Sequence, residues 1–311
     1  MPELILHHFL ISPFSEKVRL VLGYKQLSWQ SVIVPSILPK PDVVALSGGY
    51  RRTPLLQIGA DIYCDTALIC EVLEQLKPMP SLYPAAVGGL SRLLAQWADT
   101  SLFWAAVAGP RDPARMYGGA PENAKAFLED RRMMFGAMAV LPMADAAAAC
   151  KCYLQRLSDT LLNQPFLLGA QPCIADFAAY HPLWLVRIRE PAHEDILQPF
   201  PALMGWMDRM QALGHGTMKQ DLDSTQAILA AAASEPLRVG HGPLRDGFFA
   251  NEHQIAIGSR VSITAESFGS EVTEGELVAA TRTHYSLRRH DERAGNVHVH
   301  FPRIGYLLKK I

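Results

Sequence analysis

The stretch Thr53-Pro54-Leu55-Leu56-Gln57-Ile58-Gly59, followed by Asp61-Ile62-Tyr63-Cys64-Asp65-Thr66, decides how the chain is read. A Thr-Pro step opens a short apolar strand, a glycine turn leads into a second, and Asp65-Thr66 then open a helix over about Thr66 to Leu76. Proline fixes the backbone and removes a donor. A helix N-terminus offers unpaired N–H groups that attract anions. Side by side, the two make a place for a small, extended ligand bearing a carboxylate.

Upstream, Leu4 to Leu10 reads as a first strand with His7 and His8 in its middle. Ile11-Ser12-Pro13-Phe14-Ser15-Glu16 then turns into a helix, because Pro13 suits a first helical turn and Glu16 suits the positive end of the helix dipole. Trp29 to Val34 is a second strand, and Pro41-Asp42 open a short helix toward Gly48-Gly49. The order β-α-β-α-β-β-α defines one α/β domain with a small mixed sheet, placed at residues 1–79 and ended by the proline-rich segment from Lys77 to Pro84. Downstream, helical spacing over 91–106, 121–139, 145–162, 174–189 and 202–213, with strand signals largely gone, predicts an all-helical domain at residues 86–235. An alanine-rich helix over about Leu222 to Ala233 is expected to close it. After Pro236 short alternating stretches at 255–258, 260–264, 276–280, 285–289 and 296–301 predict a third, small all-β domain at residues 245–311, a barrel or rolled sheet. The fold class is therefore multidomain: α/β, then all-α, then small all-β.

Composition narrows the function. Charged residues are 19% and the formal net charge is -1, which gives no field to hold a nucleic acid or an anionic membrane. In residues 251–311 basic residues alternate with acidic ones and form no stripe with the aromatics, so nucleic acid is excluded as a partner. Five cysteines without a framework point to free thiols in a reducing compartment. With no signal-peptide pattern at the start and no apolar run of about 18 residues, the expectation is a cytoplasmic protein off the membrane.

Each chemistry-bearing residue allows two readings. Ser12 is a helix cap, or its hydroxyl donates to a thiolate held by the helix end; Ser15, about one turn on, reads as structural. Thr53-Pro54 is a trans, strand-opening proline on spacing alone, whereas a cis bond would turn the Thr53 backbone out toward an extended ligand. Thr66 can meet a carboxylate and Asp65 an ammonium, or the pair is an ordinary first turn. Arg51 and Arg52, just before the strand, can meet a second carboxylate or are ordinary exposed arginines. Six histidines follow residue 240; His298 and His300 share a strand face near His290, yet no cysteine or acidic cluster joins them locally, so they read as exposed or sheet-packed and no metal ligand is assigned.

Taken together, Ser12-Pro13-Phe14-Ser15-Glu16-Lys17-Val18-Arg19, Arg51-Arg52-Thr53-Pro54-Leu55-Leu56 and Asp65-Thr66-Ala67-Leu68-Ile69 resemble the N-terminal domain of the cytosolic glutathione transferase family, and Phe166-Leu167-Leu168-Gly169 with Ile174-Ala175-Asp176-Phe177 resemble its second domain. The resemblance covers about residues 4 to 215. It implies a thioredoxin-like domain that binds glutathione, a helical domain that supplies the site for a small-molecule electrophile, and a homodimer. Carried over by residue, Ser12 matches the group that contacts the glutathione sulfur. Thr53 precedes the cis-proline, Pro54, and binds the cysteinyl backbone, while Asp65 and Thr66 hold the γ-glutamyl end. Arg52 and Lys40 match basic residues near the glycyl carboxylate. Trp97, Phe103, Trp104, Arg115 and Tyr117 fall where the family lines its apolar pocket, although aromatics at helical spacing also serve as core.

Two features depart from the family. Where its second domain caps a helix with Ser or Thr, this chain has Cys173, so Asp176 is expected to carry the cap through the Cys173 backbone. Everything after about residue 236 is additional; Gly275 to Asp291 and Val297 to Arg303 resemble a small SH3-like barrel, and His300, Phe301 and Arg303 either line a cleft or form a strand end and the turn that Pro302 sets. The function implied is transfer of the glutathione thiolate to an electrophile. A glutathione-dependent lyase or isomerase would use the same residues, and a non-catalytic binding or assembly protein with this fold is the other class. Disulfide exchange is disfavoured, because position 12 is Ser with no Cys-x-x-Cys there.

Overall fold

The computed structural model describes residues 2–108, 121–136, 138–189, 194–250 and 252–311. Its first layer is the expected one: β1 (Ile5–His8), α1 (Pro13–Tyr24), β2 (Ser28–Ile33), α2 (Pro41–Ser47), β3 (Leu55–Ile58), β4 (Asp61–Cys64) and α3 (Thr66–Leu76). β1 runs parallel to β2 and antiparallel to β3, and β3 is antiparallel to β4. Period-two alternation divides the core between the two faces of this sheet. Leu6, Leu56 and Tyr63 pack on one side with α1 and α3, whereas Ile5, Leu55, Ile62 and Cys64 pack on the other with α2.

The helical domain lies against the α1 and α3 face. It comprises α4 (Gly88–Trp97), a π-helical turn over 98–102, α5 (Phe103–Val107), α6 (Pro121–Phe135), α7 (Met143–Leu161), α8 (Ile174–Arg189), α9 (Glu194–Leu197) and α10 (Pro201–Gln211). α8 is its axis, with Phe177, Ala178, Ala179, Tyr180 and Leu183 fully buried. The cap of α8 is as expected: the Cys173 N–H donates to Asp176 Oδ2 at 2.9 Å, and the Cys173 thiol also turns toward that oxygen, at 3.4 Å. Because a hydroxyl both donates to a carboxylate and accepts a helix N–H better than a thiol does, Cys173→Ser is expected to leave stability unchanged or raise it by up to about 1 kcal/mol. A clear drop in the denaturation midpoint would mean that the sulfur's packing outweighs its capping role.

Two sequence expectations fail here. Thr217–Leu222, placed in the strand-free helical region, is a strand (β5) paired in parallel with β2. The following helix, α11 (Ser224–Ala232), does not close the helical domain. Asp223 and Gln226 build a capping box at its start, and its buried face, Ala227, Ile228 and Ala231, joins the core on the α2 side of the sheet.

The C-terminal region is β-rich, as expected, in strands β6 (Arg260–Ala265), β7 (Thr273–Ala280), β8 (His284–Asp291), β9 (Gly295–Pro302) and β10 (Tyr306–Lys310). The stretch at 255–258 is not a strand, and β10 was not foreseen. These strands do not stand apart from the first layer. β9 pairs in parallel with β4, through Asp61 with His298, Ile62 with Val299 and Tyr63 with His300, and the result is one ten-stranded sheet in the order β10-β6-β7-β8-β9-β4-β3-β1-β2-β5. β4 thus has a partner at both edges, and all four of its residues are buried because the sheet is covered on both faces, by α1 and α3 on one and by α2 and α11 on the other. The C-terminal end of α2 is pressed against the same region: a Cβ on Gly49 would lie 2.1 Å from the Val272 carbonyl oxygen, and Gly48 holds a left-handed φ of 83° beside Arg289.

Candidate functional site

The sheet register brings the predicted residues to one end of the molecule. Ser12 follows the C-terminal end of β1, and Thr53-Pro54 precede β3, whose Leu55 lies opposite His7 of β1. Asp65-Thr66 follow β4, whose Cys64 lies opposite Leu55. The Thr53-Pro54 bond is cis.

Ser12 caps α1. Its Oγ accepts from the Ser15 N–H at 3.2 Å and the residue is buried. The capping reading is thus correct, and it leaves the hydroxyl proton free to donate, since the oxygen is the acceptor in that bond. Thr66, also buried, accepts from the Lys17 ammonium at 3.1 Å. Lys17 is fully buried and pairs with Asp99 Oδ2 at 2.6 Å, and Asp99 Oδ1 meets His181 Nε2 at 2.9 Å. A chain Thr66–Lys17–Asp99–His181 therefore links the α3 N-terminus to α8. Burial opposes the charge on both Lys17 and Asp99, but each holds the other ionised: the Lys17 ammonium titrates above its ordinary range and the Asp99 carboxylate below it. The π-helical turn carrying Asp99 shifts the register between α4 and α5.

The basic residues are placed differently from one another. Lys40 Nζ donates to the Arg51 carbonyl at 3.1 Å and to Thr53 Oγ1 at 3.3 Å; burial, with Arg131 nearby, brings its pKa down to about 7. Arg51 is buried in ion pairs with Asp130 of α6, at 2.6 Å, and with Glu271. Arg52 donates to the Phe268 carbonyl and lies 5.9 Å from the centre of the Tyr306 ring. Asp65, at a φ of 73°, accepts from the Ala67 N–H at 2.9 Å and from the Tyr306 hydroxyl at 3.0 Å. Two of the predicted ligand-binding residues, Arg52 and Asp65, are therefore held by the C-terminal region.

That region also reaches the apolar side. Phe268 packs edge-on to Trp104 and Phe135, both with ring centres 5.1 Å away, and Gly269 N–H donates to the Met134 carbonyl. Phe103 is core, between Phe14 and Trp104 and near His181, and Trp97 packs against Tyr153. Of the pocket aromatics, Trp104 makes a ring contact with the C-terminal region; Arg115 and Tyr117 lie outside the described residues. His300 and Phe301 are buried in the sheet, and Arg303 pairs with Glu252.

Sequence reading missed Lys17, Asp99, His181, Phe268 and Tyr306. The faint signal was a lone aspartate, Asp99, within a largely apolar helical stretch; Lys17, between Glu16 and Arg19, gave none, nor did Tyr306 and Phe268.

A thioredoxin-like sheet backed by an α-helical domain, with a serine at the first helix and a cis-proline edge, is the glutathione S-transferase arrangement. Residues 6–81 match the glutathione S-transferase N-terminal domain and residues 143–209 the glutathione S-transferase C-terminal domain. A solved GST-like protein from Pseudomonas syringae is 40% identical, with 100% of each chain covered and a TM-score of 0.81. The chain belongs to this glutathione S-transferase-like family. A glutathione S-transferase from Methylobacillus flagellatus, solved with glutathione bound, shares the fold at 21% identity and a TM-score of 0.51, covering 68% of this chain and 98% of that one. Among curated relatives, FtsZ-localized protein A of Caulobacter vibrioides is 28% identical over 183 residues, 57% of this chain and 74% of its own. Among the described residues no helix is long and apolar enough to cross a membrane.

Proposed function

We propose that the protein is a glutathione-dependent transferase that adds the glutathione thiolate to a small apolar electrophile. The observation that carries this reading is the convergence of Ser12, the cis Thr53-Pro54 edge and Asp65-Thr66 at one end of the sheet, in a chain of the glutathione S-transferase-like family. The residues suit the tripeptide. The Thr53 backbone pairs with its cysteinyl unit, and the α3 N-terminus and the Thr66 hydroxyl receive the γ-glutamyl carboxylate, with the Lys17 ammonium directly behind. Lys40, bonded to Thr53, and Arg52 face the glycyl end. The Ser12 hydroxyl donates to the thiolate at the positive end of α1 and so favours the ionised sulfur. The sulfur then forms a bond to the electrophilic carbon, which either releases its leaving group with the bonding pair or, in an addition, passes the pair of its breaking π or ring bond to the neighbouring atom, which takes up a proton. Holding both reactants in register supplies the remaining acceleration. A lyase or isomerase would draw on the same thiolate.

Calorimetry tests the reading. Glutathione is expected to bind the wild-type protein, and Thr66→Ala to weaken it about 10- to 100-fold, the value of a hydrogen bond to a charged group. No binding to the wild type would remove both the cofactor and the transferase. Ser12→Ala is expected to raise the pKa of the bound thiol and to lower kcat with a general electrophile about 100-fold or more, as for other lost anion donors; an unchanged thiol pKa and rate would take Ser12 out of the mechanism.

A second reading, a non-catalytic binding or assembly protein, is favoured by the similarity to FtsZ-localized protein A and by the hold of Tyr306 and Phe268 on Asp65 and Arg52. Its signature is a folded protein that turns over no electrophile with glutathione present.

A further inference from the structure

Outside this site, a second group of chemistry-bearing side chains meets at the seam where β9 joins β4. Asp61 comes from the first layer, and His298 and His300 come from the C-terminal region on the same face of β9. One ligand atom from each lies within 4.8 Å of the other two. His300 Nε2 is 2.9 Å from Asp61 Oδ1, and His298 Nδ1 is 3.9 Å from that oxygen, beyond hydrogen-bond reach of it. Four-coordinate zinc with bonds of about 2.0 Å sets its ligand atoms about 3.3 Å apart, inside the range spanned here.

We propose that Asp61, His298 and His300 form a zinc site with three protein ligands and a fourth position for water. The donor set narrows the metal: two imidazoles and one carboxylate suit zinc and other first-row transition ions, whereas magnesium and calcium take oxygen ligands; zinc is also the ion for which three protein ligands and a water complete a four-coordinate shell. The surroundings fix the ligands as zinc sites require. Ser286 Oγ lies 2.7 Å from His300 Nδ1; a hydroxyl can accept from that nitrogen as readily as donate to it, so Nε2 is available to the metal. The Leu237 N–H donates to Asp61 Oδ2 at 2.9 Å, which leaves Oδ1 for the metal and sets the carboxylate plane. Asp61 and His300 are buried, and His298 is partly exposed, which gives the ion a way in. Bound there, zinc joins two regions more than 200 residues apart in sequence, since Asp61 and His300 are separated by 239 positions. It does so independently of glutathione.

The test is titration of the full-length, metal-free protein with zinc in competition with a chromophoric chelator, repeated with cobalt(II). One equivalent is expected to bind, the cobalt form is expected to show tetrahedral visible bands without a thiolate charge-transfer band, and zinc is expected to raise the melting temperature. His298→Ala, at the most exposed ligand, is expected to keep the fold, weaken binding at least 10-fold and abolish the thermal shift; Asp61→Asn serves as the second variant. Absence of stoichiometric binding would overturn the site. So would binding undiminished by His298→Ala, or a thiolate band, which would move the metal to the cysteines.

Discussion

A chain ended at Ala233 is expected to lose the folded first layer, not merely its β-rich addition. The pairing of β4 with β9 makes β4 an interior strand, and its removal would leave Asp61-Ile62-Tyr63-Cys64, buried on both faces, as a bare apolar edge. The core on the α2 side of the sheet is one cluster. It mixes Ile5, Val32, Leu46, Tyr50 and Ile62 with Val261, Leu277, Leu287, Val299, Phe301 and Leu308. Tyr50 alone would lose both its aromatic partners, Phe301 and Tyr306. Arg51 would lose Glu271, and α2 would lose Arg289 and Arg293, which bond to Ala45 and Asp42. Each large side chain returned to water costs about 1.5–3 kcal/mol, so the loss is of the order of a domain's whole net stability, about 5–15 kcal/mol. The measurement is soluble yield and size by gel filtration, with limited proteolysis read within residues 1–80. A soluble, protease-resistant shortened chain would show that the first layer stands alone.

What the sequence showed and what it hid divide along one physical line. Ser12 before Pro13, Thr53 before Pro54 and Asp65-Thr66 at a helix start were legible because caps, prolines and helix ends act over a few residues. The cap of α8 through Asp176 was legible for the same reason. The partner of β4 was not, since strand pairing between Asp61 and His298 leaves no trace in local propensity. Burial of all four β4 residues is consistent with an interior strand, and the sequence Asp61-Ile62-Tyr63-Cys64 carried that hint without naming the neighbour. β5 escaped notice because Thr217-Met218-Lys219-Gln220-Asp221-Leu222 is polar and largely exposed; backbone bonds to β2, at the sheet's outer edge, hold it. For α11 the helix was correct and its position was not: an alanine-rich face packs as well on a sheet as on helices, and nothing in its composition chooses between them. The candidate site followed the same division: the residues at caps and prolines were read from the sequence, whereas Lys17, Asp99, His181, Phe268 and Tyr306, which meet the site through contacts distant in sequence, were not.

The largest single-residue loss of stability is expected from Asp176→Ala. This carboxylate is fully buried and serves four donors. Oδ1 accepts from the Leu167 N–H at 2.8 Å and from Trp206 Nε1 at 2.9 Å, while Oδ2 accepts from the Cys173 N–H and thiol. The three N–H donors come from the loop before α8, from the residue that starts it and from α10, so one side chain ties together the centre of the helical domain. Burial pushes the Asp176 carboxyl above its ordinary range, and the bonds from Leu167, Cys173 and Trp206 work against that rise. Alanine would leave those donors in an apolar interior where Leu167, Cys173 and Trp206 are themselves buried. An unmet buried donor costs about 1–3 kcal/mol, and with partial relaxation the sum is about 3–5 kcal/mol. Asp176→Asn should cost less, because its carbonyl keeps the Leu167 and Trp206 bonds and its amide turns toward the Cys173 sulfur, which can accept it weakly, so that the Cys173 N–H is the one N–H donor left unmet. The check is urea denaturation of the full chain, read from the midpoint at unchanged slope. Equal midpoints for the Ala and Asn variants would mean that packing around the side chain, and not its acceptors, holds α8 in place.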